Sequence, residues 1–157
     1  MTTGIAITLR AAQAADVPAL ADLYTAAEGA IRVQLGAAPV AHIPALEAWL
    51  GNHIDSCVVA EVDGLASGFV EIAAPSELRA IYVAPAAWGR GVAAALHDHA
   101  VARLREGGAT TASLTVIARN ARARRFYERR GWTFSGDDRA REVGGVVLAF
   151  ARYTRDL

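Results

Sequence analysis

The chain has 157 residues, of which 54% are hydrophobic and 20% are charged, a composition that excludes a disordered protein. No apolar run reaches the roughly 18–20 residues that a membrane helix needs, and the first residues lack the basic-then-apolar pattern of a secretion signal. The net charge is zero, but residues 1–78 hold 2 Arg against 9 Asp and Glu, whereas residues 79–157 hold 14 Arg against 7, which favours an anionic ligand for the C-terminal half.

The first elements are predicted to be a strand and two helices. Residues Ile7–Ala12 alternate between apolar and polar side chains, as a half-buried strand does. Asp16 followed by Pro18 is typical of a helix start, and we expect this helix to run to about Gly29. A second helix is predicted from Ile43 to about Leu50, between a proline and a Gly-Asn pair.

A hairpin and a further strand follow. The apolar segments Ser56–Val62 and Ala66–Ala74 flank the dipeptide Asp63-Gly64, which is a strong short-range signal for a two-residue hairpin turn. Leu78–Val83 is predicted to be the next strand, because it is rich in apolar residues and Pro85 follows soon after it.

The rest of the chain alternates helices and strands. Apolar residues recur every four positions from Gly91 to about Glu106, which predicts an amphipathic helix. A buried strand, Ala112–Ala118, precedes another helix, Ala121–Arg130, and the chain closes with the predicted strands Trp132–Ser135 and Val146–Tyr153. The order β-α-α-β-β-β-α-β-α-β-β predicts an α+β fold with a mostly antiparallel twisted sheet flanked by helices, in a single domain spanning the chain.

Two glycines stand just before the third predicted helix. Gly89 and Gly91 lie between the strand that ends at Val83 and the helix that begins near Gly91. A helix N-terminus presents unpaired N–H groups that bind phosphate, and glycine lets the backbone approach it closely. A dinucleotide fingerprint is disfavoured, because no acidic residue follows the next strand, and a Walker loop lacks its Lys-Ser/Thr pair. The sequence therefore predicts a phosphate-binding loop of another kind.

Two motifs together resemble the GCN5-related N-acetyltransferase (GNAT) superfamily. The family's acetyl-CoA loop reads Q/R-x-x-G-x-G/A; Gly91 and Ala93 fill its two small positions, and Trp88 departs from it at the Q/R position. The second motif reads approximately N-x-x-A-x-x-F/L-Y-x-x-x-G-F/W, and it is matched by Asn120, Ala123, Phe126, Tyr127, Gly131 and Trp132. The resemblance implies the GNAT fold for residues 1–157 and an acyl-CoA-dependent N-acyltransferase, most simply an acetyltransferase.

The resemblance also implies where acetyl-CoA binds as cosubstrate. Backbone N–H groups of the loop would hold its pyrophosphate, the strand Ile81–Val83 would pair with its pantetheine arm, Asn120 would bond to that arm, and Ala123 would leave room for it. The implied cosubstrate-binding residues are Ile81, Tyr82, Val83, Trp88, Gly89, Arg90, Gly91, Val92, Ala93, Ala94, Asn120, Ala123 and Tyr127. We expect no metal.

Catalytic roles follow from the same resemblance. Tyr127 would protonate the departing thiolate as general acid, and a backbone N–H near Val83 would stabilise the developing oxyanion. Glu77 is the candidate general base for the acceptor amine, Glu71 is its rival, and the sequence leaves the choice open. The acceptor is a small-molecule or peptide amine whose identity the sequence does not give.

The acceptor pocket and the other polar residues carry further expectations. His42, Trp49 and His53 lie in the region that the resemblance makes the acceptor pocket. Cys57 is read as a small buried hydrophobe, and Asp137-Asp138 as a solvated turn. His97 and His99 are two positions apart on a helix, so they do not face one metal site.

Two alternative functions remain at this point. The arginine-rich helix 119–130 suggests nucleic-acid binding, but its arginines spread around the helix and the isoelectric point is about 6.9. The other alternative is an acyl-CoA-binding domain that senses its ligand without turnover. We expect a cytoplasmic protein, and the apolar strand Val146–Tyr153 offers a contact edge for a homodimer.

Overall fold

The computed structural model describes residues 4–37, 45–143 and 145–157. The strands are β1 (Ile7–Ala11), β2 (Cys57–Val62), β3 (Leu65–Ala73), β4 (Glu77–Val83), β5 (Thr111–Ile117), β6 (Thr133–Val143) and β7 (Val146–Asp156). The helices are α1 (Val17–Gln34), α2 (Leu46–His53), α3 (Val92–Glu106) and α4 (Ala121–Glu128). The predicted order of elements is therefore confirmed.

All seven strands form one mixed sheet in the order β1-β2-β3-β4-β5-β7-β6. Every neighbouring pair is antiparallel except β4 and β5, which run parallel. The expected α+β fold with a mostly antiparallel sheet is confirmed. The single parallel pair arises because α3 connects β4 to β5, and a crossover helix returns the chain in the same direction.

Helices cover both faces of the sheet, and each face has its own hydrophobic cluster. On β2 the side chain of Val58 packs with α3, whereas that of its neighbour Val59 packs with α1 and α2, as the alternation of a strand requires. Cys57 is buried on the α1–α2 side, and burial raises the pKa of its thiol to about 12, which disfavours a nucleophilic thiolate. Among the described helices, none is long and apolar enough to cross a membrane.

The hairpin forms at the predicted turn. Asp63 and Gly64 have φ angles of 53° and 76°, and two successive positive φ values are those of the type I′ turn that matches the twist of the flanking strands. Local turn chemistry alone fixes this connection.

The first two helices differ from their predicted limits. Helix α1 continues past Gly29 to Gln34, because Gly29 is buried and packing outweighs the roughly 1 kcal/mol that glycine costs in a helix. Helix α2 includes Gly51, which was predicted to lie beyond its end, and its predicted start at Ile43 lies outside the described residues. Asp16 does not cap α1 with its side chain, which instead accepts a 2.8 Å hydrogen bond from Arg10.

The pair Asp137-Asp138 lies in a strand, not in the predicted turn. Strand β6 runs eleven residues to Val143, and the two aspartates pair with Ala151 and Phe150 of β7. Hydrogen bonding to the neighbouring strand outweighs the turn preference of the two aspartates here. The predicted strand ending at Ser135 was therefore too short.

Replacing Gly68 by alanine should destabilise the fold by about 1–3 kcal/mol. A Cβ at Gly68 would lie 2.9 Å from Val92 Cγ1 on α3 and 3.0 Å from the Tyr82 carbonyl oxygen, so α3 or β4 would have to move. The measurement is urea unfolding of both proteins. Gly51→Ala is the control, because that Cβ meets open space in a helix and should stabilise by up to about 1 kcal/mol. Equal stability of Gly68→Ala and the parent protein would contradict the packing argument.

Candidate active site

A cleft opens where β4 and β5 diverge. The two strands pair only at Glu77 and Ser113, where the Ser113 N–H donates to the Ser76 carbonyl at 2.9 Å. Beyond this point a cavity of about 350 Å³ lies between the end of β4, the beginning of α3 and α4. All the implied cosubstrate-binding residues except Arg90 line this cavity, namely Ile81, Tyr82, Val83, Trp88, Gly89, Gly91, Val92, Ala93, Ala94, Asn120, Ala123 and Tyr127.

Strand β4 turns backbone N–H and C=O groups toward this cleft. The Ala84 N–H donates to the Ser67 carbonyl at 2.9 Å, so the backbone of Ala84 faces β3. Backbone direction alternates along a strand in an antiparallel pair, so the N–H and C=O groups of Val83 and Ile81 face the opposite side, from which β5 has diverged. An extended ligand lying in the cleft can therefore hydrogen-bond to β4 as an additional strand would.

The loop between β4 and α3 ends in two glycines with left-handed backbone. Gly89 and Gly91 have φ angles of 74° and 85°, a conformation that other residues adopt at a cost. Helix α3 begins at Val92, and its first intrahelical bond is donated by Ala95. The N–H groups of Val92, Ala93 and Ala94 therefore have no acceptor within the helix, and they give this end of the cavity a partial positive charge.

Two side chains of this region have positions that the motif did not give. The Arg90 guanidinium lies 3.8 Å from Asp63 on the hairpin turn, and Arg90 does not line the cavity. The indole N–H of Trp88 donates to the Val83 carbonyl at 2.9 Å, so Trp88 is fixed to the end of β4. The Arg122 guanidinium carbon lies 4.4 Å from the centre of the Trp88 ring.

Helix α4 forms the other wall of the cavity. Asn120 caps this helix, its side-chain oxygen accepting the Ala123 N–H at 3.1 Å, which stabilises the first turn. The side-chain oxygen is thus engaged, and the amide N–H groups are the donors that Asn120 has for a ligand. Ala123, one turn along, presents only a methyl group to the cavity.

Tyr127 projects from the last turn of α4 and is 9% exposed. Its ring packs edge-on against Phe126 and Trp132, at centroid distances of 5.2 and 6.1 Å. Burial raises the pKa of the Tyr127 phenol above its ordinary value. The phenol is therefore protonated at neutral pH and has a proton to donate.

A buried histidine supports this aromatic cluster. The indole N–H of Trp132 donates to His97 Nε2 at 2.9 Å, and Nδ1 lies 2.9 Å from an Asp98 carboxylate oxygen. Because an indole can only donate, Nε2 is unprotonated and His97 is neutral. Burial lowers its pKa, and Asp98 opposes this effect.

The stability of the fold should therefore fall as the pH drops below about 6.5, the pKa of an unfolded histidine. Below that pH, His97 binds a proton more readily in the unfolded chain than in the folded protein. The free energy of unfolding therefore falls by at most about 1.4 kcal/mol per pH unit until the pH reaches the pKa of His97 in the folded protein. The measurement is urea unfolding from pH 8 to pH 5 for the parent protein and for His97→Gln. The variant should show the smaller loss over this range, and parallel curves would contradict the assignment.

A second cavity, of about 560 Å³, adjoins the first at the same residues of β4 and α4. Tyr127, Asn120, Ala123 and Ile81 line both. The second cavity also has lining residues from α1, α2, β3, β5, β6 and β7. Tyr127 lines both cavities, so this side chain lies where the cleft along β4 adjoins the second pocket.

The two candidate bases are positioned differently. Glu71 lines the second cavity and has no exposed surface, whereas Glu77 does not line it and its side chain is 41% exposed. Arg79 contacts both, with Nη1 2.9 Å from Glu71 Oε1 and Nη2 3.5 Å from a Glu77 oxygen. The other Glu71 oxygen, Oε2, is the one buried side-chain polar atom without a hydrogen-bond partner in the described ranges.

Burial dominates the electrostatics of Glu71. It raises the pKa of the carboxyl above that of a free glutamate, and the positive charge and hydrogen bond of Arg79 oppose this shift. A carboxylate with a raised pKa is a stronger base than an exposed one, which suits the removal of a proton from an amine. The geometry and the electrostatics favour Glu71 over Glu77 for that role.

Some lining residues were not indicated by any motif. Tyr24 of α1 packs edge-on against Tyr82 at 4.6 Å, and both line the second cavity with Arg79. Trp49 lines this cavity, and His53, which does not line it, stacks on Trp49 with ring centres 4.7 Å apart. His42 lies outside the described residues. The alternation of β4 was the only signal for Arg79, and nothing in the sequence distinguished Tyr24 from a core residue.

Comparison with known proteins gives matches at two levels. A family model described as the acetyltransferase (GNAT) family matches residues 18–132. A curated mycothiol acetyltransferase from Beutenbergia cavernae is 38% identical over 91 residues, which are 55% of this chain and 31% of that protein. The match thus spans less than a third of that relative's length.

Solved structures share the fold over nearly the whole chain. A GCN5-related N-acetyltransferase from Rhodopseudomonas palustris has a TM-score of 0.75 and 17% identity, and the match covers 100% of this chain and 98% of that one. The acetyltransferase yncA from Salmonella typhimurium, solved with acetyl-CoA, has a TM-score of 0.72 and 20% identity, with coverage of 96% and 94%. At these identities the structures establish the fold.

Proposed function

The chain belongs to the GNAT acetyltransferase family, and from this membership we propose that it transfers an acetyl group from acetyl-CoA to a primary amine by direct attack in a ternary complex. That it is an N-acetyltransferase follows from the family itself. The observation that carries the finer proposal is the position of Tyr127, which lines both the cleft along β4 and the pocket beside Glu71.

The residues of the cleft fit acetyl-CoA. Its pantetheine arm is an extended chain with amide groups, and the backbone N–H and C=O groups of Ile81 can pair with them. Its phosphates are anions, and the first N–H groups of α3 are directed to bind them. The positive φ of Gly91 places these N–H groups at the cavity wall, with no side chain at that residue.

The proposed chemistry divides between two protein groups. Acetyl-CoA supplies the acetyl group as a reactive thioester. The amine nitrogen forms the new C–N bond while the C–S bond breaks, and Tyr127 donates its hydroxyl proton to the departing sulfur. Glu71 accepts the proton that the amine loses, through a water molecule, because its side chain has no exposed surface.

A backbone donor completes the proposed site. The Val83 carbonyl accepts the hydrogen bond of the Trp88 indole, so the Val83 N–H is the backbone group of this residue that can bond to a ligand in the cleft. A fixed N–H group close to the thioester oxygen stabilises negative charge that develops there, and it needs no rearrangement during the reaction. The proposal therefore places the oxyanion at the end of β4.

Thermal unfolding with acetyl-CoA tests the cosubstrate. At about 100 times its Kd, acetyl-CoA should add roughly 2.7 kcal/mol of stability, which raises Tm by roughly 5–10 °C for a chain of this size. ATP and NAD are the controls and should give no comparable rise. Free-thiol release over a panel of amines then tests transfer. Acetyl-CoA binding without release on any amine would indicate a sensing domain instead of an enzyme.

A further inference from the structure

Arg122 has no anionic partner among the residues that the structure describes. It lies on the first turn of α4 and lines the same cavity as Gly91 and the beginning of α3. Within the described parts of the chain, no carboxylate lies within 4.0 Å of its guanidinium, and its side chain donates no hydrogen bond. The guanidinium instead contacts the face of the Trp88 ring. A cation beside a cavity, with its donors unused, is suited to bind an anion.

Two other arginines, Arg124 on α4 and Arg130 just beyond its end, are engaged with protein groups. Arg124 donates to the Tyr153 hydroxyl at 2.8 Å and to the Ala118 carbonyl at 3.1 Å. Arg130 also lines the cavity, but it donates to the Phe126 carbonyl at 3.4 Å, and its guanidinium lies over the Phe126 ring at 3.9 Å. Arg122 therefore differs from these two in keeping its N–H groups available at the cavity.

Trp88 holds this guanidinium in place. Its indole N–H is bonded to the Val83 carbonyl, so the ring is anchored to β4 and cannot turn freely. A guanidinium stacked on an indole face is attracted to it and keeps its N–H groups in the plane, free to bond outward. The stack thus spans the cavity from the β4–α3 loop to α4, and it presents a positive charge near the free N–H groups of Val92–Ala94.

We propose that Arg122, stacked on Trp88, binds a phosphate group of acetyl-CoA. The inference rests on the proposed function. It places a positively charged contact to phosphate on α4, because Trp88 occupies the loop position where the family motif has glutamine or arginine. Trp88 acts as a positioning residue, and the contact to the ligand is made by Arg122. The pyrophosphate and the 3′-phosphate share this chemistry, and the experiment separates them.

The test measures Kd by calorimetry for acetyl-CoA, for acetyl-dephospho-CoA, which lacks the 3′-phosphate, and for acetyl-pantetheine, which lacks all phosphates. Arg122→Ala should weaken acetyl-CoA binding about tenfold or more, the loss expected for a hydrogen bond to a charged group, and should leave acetyl-pantetheine binding unchanged. Arg125→Ala is the matched control, an exposed arginine of the same helix that does not line the cavity, and should change neither value.

The arms separate the possible results. Equal weakening with acetyl-CoA and acetyl-dephospho-CoA assigns Arg122 to the pyrophosphate, and weakening with acetyl-CoA alone assigns it to the 3′-phosphate. Unchanged affinity for acetyl-CoA, or an equal loss with acetyl-pantetheine, overturns the inference. If the parent protein itself does not bind acetyl-CoA, the proposed function fails first, and the two failures are therefore distinct.

The role of Trp88 has its own readout. Trp88→Ala should weaken acetyl-CoA binding in the parent background and have little further effect in the Arg122→Ala background, because the ring acts by holding Arg122. In the parent background, Arg122→Lys should give an intermediate Kd, since lysine keeps the charge but loses the planar stack. Absence of both effects would overturn the positioning role of the ring.

Discussion

Replacing Tyr127 by phenylalanine should lower kcat about 100-fold, the usual contribution of a general acid, with little change in the Kd of acetyl-CoA. The phenol is buried and protonated at neutral pH, so it holds a proton that it can give to the departing sulfur. Phenylalanine keeps the ring and its packing against Phe126 and Trp132. The measurement is free-thiol release with whichever amine supports turnover, together with acetyl-CoA binding by calorimetry.

Tyr153→Phe is the control for this experiment. The Tyr153 hydroxyl is also buried, but it donates to Glu128 at 2.7 Å and accepts from Arg124 at 2.8 Å, and none of these three residues lines either cavity. Its removal should lower stability by about 1–3 kcal/mol and leave kcat within a few-fold. An unchanged kcat in Tyr127→Phe, with binding also unchanged, would remove Tyr127 from the role of acid.

Replacing Gly91 by valine should weaken acetyl-CoA binding by at least about 5–30-fold while the fold remains. A Cβ at this position would meet only Ile7 Cδ1, at 3.9 Å, so there is room for a side chain. The obstacle is the φ of 85°, which costs an L-residue roughly 1–2 kcal/mol. The loop of the variant relaxes to another conformation, and acetyl-CoA binding must restore the original one. The energy that this requires raises the Kd about tenfold for each 1.4 kcal/mol.

Gly108→Val separates binding from stability. Gly108 has a φ of 91° just beyond the end of α3, with open space around its Cβ, and it does not line either cavity. This variant should lose stability similarly in urea unfolding and bind acetyl-CoA as the parent protein does. If Gly91→Val binds acetyl-CoA with the parent Kd, the loop does not hold the phosphates in the conformation observed.

The order of elements was predictable because its signals are local. The Asp63-Gly64 turn, the four-residue period of α3 and the glycines before it each depend on neighbouring residues, and each is found where it was expected. The limits that were wrong depend on distant contacts. Helix α1 passes through Gly29 because this residue is buried, and β6 includes Asp137-Asp138 because β7 lies beside it.

The candidate site divides in the same way. The spacing of Asn120, Ala123 and Tyr127 on one helix is a sequence property, and the structure places all three at the cleft. Their approach to β4 is not such a property, because it depends on how far β5 separates from β4 once the two strands have paired at Glu77. Sequence spacing therefore indicated which residues form the site but not the shape of the space between them.

The sequence alone determined the family, the order of the strands and helices, and the two glycines that precede α3, because each is encoded by residues a few positions apart. The tertiary structure decided three features that involve residues of different elements: the separation of β4 from β5, the burial of Glu71 with one unpartnered oxygen, and the stacking of Arg122 on Trp88. The physical reason is that burial and contact depend on the packing of whole elements, and no short stretch of the chain specifies that packing.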